Sequence, residues 1–145
     1  MNGTKLRIVR GIAALSLVVL ANKASSAELP DCFLGRWRSS EALTLADMRK
    51  HPEVTPKARA LFEAHFFGRL VLVNTRTHSG SYFEPEQDRN SLSLEPIQVV
   101  SSTPTSVVIR TVLVGIAQDT EWFCDDGVIY ALVSRWKFRE YFTPE

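Results

Sequence analysis

The chain has 145 residues, with 17 Lys and Arg against 16 Asp and Glu, 45% hydrophobic residues and two cysteines. That length supports one domain with a sizeable core and is too short for two. No stripe of Lys and Arg runs along it, so nucleic acid and anionic membrane surfaces are not expected as partners, because both depend on clustered basic charge.

Lys5, Arg7 and Arg10 precede an uncharged stretch from Gly11 to Ala21, and the segment closes on Ser25-Ser26-Ala27. A basic start, a short apolar middle and small residues before a cleavage point make a secretory signal. Residues 1–27 are therefore expected to be removed and residues 28–145 to form the domain. The apolar run falls short of the roughly 20 residues that a membrane helix needs, so no stable anchor is expected after cleavage. Lys5, Arg7, Arg10 and Lys23 leave with the signal and every acidic residue stays, so 118 residues remain with 13 basic and 16 acidic groups, a net charge of −3. The expected location is periplasmic or secreted. In an oxidising compartment an even cysteine count reads as a bridge, Cys32–Cys124, enclosing 91 residues and worth about 4 to 5 kcal/mol of chain entropy.

Phe33 to Arg38 alternates after Gly35 and reads as a first strand with Trp37 facing inward. Thr44 is a candidate cap for a first helix reaching Lys50, with Pro52 beyond it. Thr55 then caps a second helix with Pro56 at its first position, running to about Phe66 and ended by Gly68. From Arg69 onward the period changes to two, with strands expected at Leu70 to Thr75, Ser81 to Glu84, Ser93 to Ser101, Ser106 to Val114, Thr120 to Cys124, Val128 to Arg135 and Lys137 to Phe142. His78-Ser79-Gly80, Thr103-Pro104-Thr105 and Asp125-Asp126-Gly127 supply turns. Pro96 removes a ladder donor and belongs at an edge or bulge. The fold expected is mainly β: a small antiparallel meander barrel of about eight strands with a helix-turn-helix inserted after the first.

Gly35-Arg36-Trp37-Arg38, followed by Ser39-Ser40-Glu41 and Met48-Arg49-Lys50, resembles the opening of intracellular fatty-acid-binding proteins and, more broadly, the calycin superfamily with its lipocalins. Arg139-Glu140-Tyr141 is similar to the Arg-x-Tyr pair with which that family grips a ligand carboxylate. The resemblance implies that Arg139 and Tyr141 hold an acidic head group and that Trp37 plugs the barrel beneath Arg135 or Arg139. In a carrier of this kind Phe62, Phe66 and the inward strand residues are expected to line the cavity and the helices to gate it. Alternation puts Arg139 and Tyr141 on one face, so both are buried or neither is. A buried guanidinium needs a neutralising partner, which a ligand carboxylate would be; pairing with a neighbouring Asp or Glu, or simple exposure, is the other reading of Arg139.

Catalytic chemistry is thin. His51, His65 and His78 stand alone, Asp125-Asp126 is explained by its turn, and Glu84 and Glu86 flank Pro85 without the spaced ligands of a calcium loop. No enzyme activity, metal or cofactor is expected. Two functions follow: an exported barrel that binds a small apolar or acidic ligand such as a fatty acid, or a protein-binding module of inhibitor or immunity type with a solid core. The aromatic last third, Trp122, Phe123, Tyr130, Trp136, Phe138, Tyr141 and Phe142, serves the core in the first and a docking patch in the second.

Overall fold

The computed structural model describes residues 27–113, 115–133 and 135–145, and the expected signal sequence lies outside them apart from Ala27. A 3-10 turn at Asp31–Phe33 leads into β1 (Gly35–Ser39), followed by helices α1 (Glu41–Met48) and α2 (Pro56–Glu63). Eight more strands complete the chain: β2 (Leu70–Asn74), β3 (His78–Phe83), β4 (Glu95–Pro96), β5 (Gln98–Thr103), β6 (Ser106–Leu113), β7 (Ile116–Asp125), β8 (Val128–Leu132) and β9 (Arg139–Pro144). Every pairing is antiparallel, in the order β4-β3-β2-β1-β9-β8-β7-β6-β5. The result is the expected small meander barrel, nearly closed, with two helices inserted after the first strand.

Among the described residues there are nine strands rather than eight, because the expected strand Ser93 to Ser101 divides after Pro96. Its first part pairs with β3 through His78↔Pro96 and Ser79↔Glu95, and its second pairs with β6 through Gln98↔Arg110 and Val99↔Ile109. Only Ile97 separates the two, its N–H donating to Thr77 O at 3.0 Å. The two ends of the sheet are thus consecutive in the chain, and a bent corner brings them round, as where strands pass between sheets. The β7–β8 turn is as read from sequence: Asp126 (φ 47) and Gly127 (φ 74) both take positive φ, the requirement of a tight primed hairpin turn. His78-Ser79-Gly80 is not a turn but the start of β3; the reversal lies at Thr75 to His78, where the Thr75 N–H donates to His78 O at 2.8 Å.

Helix α1 begins four residues earlier than expected. Ser40 is its cap, its hydroxyl accepting from Leu43 N at 3.4 Å, and Thr44 is buried inside the helix. Thr44 instead ties the helix to the sheet. Strand β1 leaves β9 after Ser39, so the next β9 amides lack a strand partner. Thr44 Oγ1 accepts from Tyr141 N at 3.0 Å and Asp47 Oδ2 accepts from Arg139 N at 2.8 Å. Side chains of α1 thereby satisfy amides that would be costly to leave unpaired. Thr55 caps α2 as expected, accepting from Ala58 N at 3.3 Å. The helix stops at Glu63 rather than Phe66, since Ala64 leaves helical geometry and His65 takes φ 56.

Two cores result. Inside the barrel, Leu29, Phe33, Trp37, Val107, Ile129 and Phe142 cluster, with Trp37 Nε1 donating to Phe33 O at 3.0 Å. Under the helices, Leu45, Met48, Val54, Phe62, Phe67 and Phe138 form a second cluster. Phe62 is its hub, with ring centroids 5.4 Å from Phe67 and Phe138 and 5.2 Å from Trp136. Each such pair contributes about 0.5–1.5 kcal/mol beyond area burial.

The Cys32–Cys124 bridge is corrected: both are free thiols. Each sulfur is turned to a carbonyl, Cys32 Sγ donating to Pro104 O at 3.4 Å and Cys124 Sγ to Cys32 O at 3.6 Å. Burial, reinforced by the neighbouring Cys124, pushes the Cys32 thiol up to about 12, so at neutral pH it stays protonated and a poor nucleophile. No helix among the described residues is long and apolar enough to cross a membrane.

Candidate ligand cavity

The register explains why the barrel is not filled. On β1 and β2, Trp37 lies opposite Leu72, which in turn lies opposite Ser81 on β3, while Asn74 lies opposite Ser79. The inner face of β3 therefore carries two hydroxyls where a filled barrel would place branched or aromatic side chains. The consequence is a cavity of about 700 Å³, within the usual size for a small-molecule site.

Its walls differ. One side is apolar: Leu29, Phe33, Leu72, Ile109, Trp122 and Ile129. The other, from the end of β2 through β3 and the corner, carries Asn74, Ser79, Ser81, Glu95, Gln98 and, from β6, Arg110. Asn74 is held in place at both ends of its amide: Nδ2 donates to Phe33 O at 3.1 Å and Oδ1 accepts from Ser79 Oγ at 2.7 Å. Arg110 is forked onto Asp119, Nε and Nη2 donating at 2.7 and 2.8 Å, and that bond holds its charge in place while lowering the Asp119 pKa. Gly80 sits where the segment before β4 crosses β3; a Cβ there would fall 2.3 Å from Ser93 O, so only glycine permits this close approach.

The residues expected to bind a ligand lie elsewhere. Arg139 and Tyr141 do share one face, but it is the outer one. The Arg139 guanidinium lies 5.0 Å over the Tyr130 ring and donates to Tyr141 Oη at 3.1 Å, and the hydrogen bond to Tyr141 raises its pKa further. Tyr130 also stacks on Phe123 at 5.1 Å and meets Tyr141 at 5.3 Å, so three rings run across β7, β8 and β9. The inward residue between them is Glu140, on the face of Phe142 and Ala131. Burial raises its pKa, opposed by the Ser39 hydroxyl, which donates to it at 3.0 Å. The barrel wall thus presents an acid where the resemblance implied a guanidinium.

Phe62 is 5% exposed in the helix-side core and Phe66 is 52% exposed beside it; neither lines the cavity. Trp37 is buried in the barrel core, and Gly35 (φ 114) opens its strand. Arg135 is not above Trp37 but 5.6 Å over the Trp136 ring. The polar wall escaped sequence reading because Ser79 and Gly80 read as a turn. A signal was present in the period: with β3 begun at His78, Ser79 and Ser81 fall on one face. Comparison with known families, characterised proteins and solved structures gives no match.

Proposed function

We infer that this protein is an exported binder of a small, largely apolar molecule, held inside the barrel in the manner of calycins. The observation that carries this reading is the 700 Å³ cavity with an apolar wall of Leu72, Ile109, Trp122 and Ile129. A pocket of this size with apolar lining and a few placed polar groups suits a ligand with a hydrophobic body. Export rests on the signal pattern of residues 1–27. The test uses Nile red, a neutral apolar dye, with the purified protein. Saturable fluorescence enhancement at one dye per chain, lost when Ser81→Phe fills the cavity while circular dichroism stays unchanged, supports the reading. No saturable signal, or one that Ser81→Phe leaves intact, overturns it.

A protein-binding role is favoured by one separate observation, the outward ladder of Phe123, Tyr130 and Tyr141 topped by Arg139, since Tyr and Arg dominate binding hot spots. Under that reading Tyr130→Ala abolishes capture of a stoichiometric partner and leaves dye binding intact.

A further inference from the structure

The hydrogen-bonding inventory of the polar wall specifies the head group. The Ser79 hydroxyl already donates its proton to Asn74, so toward the cavity it can only accept. The Asn74 amide gives one Nδ2 hydrogen to Phe33 O and takes the Ser79 proton on Oδ1. Glu95 accepts from Ser93 Oγ at 2.9 Å through Oε1, and among the described residues its second oxygen has no donor. The Gln98 amide and the Ser81 hydroxyl have no side-chain partner among the described residues. The cation on this wall, Arg110, is already forked onto Asp119. An anionic head would therefore meet the Glu95 carboxylate with no free guanidinium to offset it, whereas a donor finds the second Glu95 oxygen and Ser79 as acceptors; the Gln98 amide and the Ser81 hydroxyl can serve a donor or an acceptor alike.

Given the binding role argued above, we propose that the cavity takes an apolar chain or ring body bearing a hydrogen-bond-donating head, a hydroxyl or an ammonium, and discriminates against carboxylates. This reverses the fatty-acid expectation raised by Arg139 and Tyr141, which lie on the outer face. Discrimination arises because the Glu95 carboxylate disfavours a like charge brought close and favours a donor or a cation.

The experiment displaces Nile red from the purified protein at neutral pH with dodecanol, dodecylamine and dodecanoate, three ligands that share a chain and differ in head. Dodecanol and dodecylamine are expected to compete at least about tenfold more tightly than dodecanoate, the scale of one unmatched polar contact. Glu95→Gln should weaken dodecylamine, strengthen dodecanoate and leave dodecanol nearly unchanged. An amine advantage that this variant abolishes identifies an ammonium head; an unchanged alcohol advantage identifies a hydroxyl. Dodecanoate competing as well as dodecanol, or a ranking indifferent to both Glu95→Gln and Gln98→Ala, overturns the head-group assignment and leaves the cavity reading standing. Failure of the dye to bind at all overturns both.

Discussion

The two ends of this barrel use their aromatic residues in opposite ways. Beneath the helices, Phe62, Phe67 and Phe138 pack together with Met48 in one buried cluster. At the other end, Trp122 and Ile109 line a hollow because β3 answers them with Ser79 and Ser81. Both regions hold apolar bulk on one strand face, so composition alone does not separate a packed end from an open one. The partner strand decides, through residues that are small and polar and draw little notice in a sequence.

The contrast is broken most sharply by truncating one residue in each region. Phe138→Ala, at a site with no exposure and ring contacts to Phe62 and Phe67, should cost about 3–5 kcal/mol. Ile109→Ala on the cavity wall should cost about 2 kcal/mol, the low end for such a change, because its side chain already faces empty space. Urea denaturation of both variants checks this; equal losses would mean that the hollow end is packed as tightly as the helical one. Thr44→Val tests the link between helix α1 and the sheet. It leaves the Tyr141 N–H without an acceptor, for an expected loss of about 1–3 kcal/mol, and Thr44→Ser should recover most of it.

The smallest effect concerns Glu140, between the two regions. Burial raises its pKa in the folded state, so in the window from the ordinary carboxylate value up to the raised one the folded chain binds the proton more tightly than the unfolded chain. Stability attributable to this group therefore falls as pH rises through that window. Glu140→Gln removes this dependence: its denaturation midpoint should match or exceed that of the parent at neutral pH, with the gap closing below the ordinary carboxylate range. A constant difference at all pH values would show that shape, not charge, is what the substitution changes.

Much of the fold was legible. Alternation located most strands, Pro96 marked the corner, Thr55-Pro56 fixed the start of α2, and Asp126-Gly127 gave the primed turn, because each is a local preference. The site was harder to read. Alternation placed Arg139 and Tyr141 on a common face but could not say which, since a slip of one residue exchanges inside and outside. The inward position went to Glu140 because it shares a face with Phe142, which the register sets opposite Ile129 in the barrel core. Helix α1 was displaced for a tertiary reason: Thr44 and Asp47 serve the free amides of β9, a demand that nothing near them in sequence announces. The cysteines were brought close, yet each sulfur is turned to a carbonyl, a detail of orientation that counting cannot supply.

Because the outermost strands of the sheet are joined through Ile97 alone, the ring is latched by a single stretch of main chain. A protease cut there would leave Glu95-Pro96 attached to one flank and Gln98 to Thr103 to the other, each still paired with its own neighbour. The wall would then be free to swing apart along that line like a door losing its bolt, and whatever the hollow held would escape sideways, with the helix-covered end still intact.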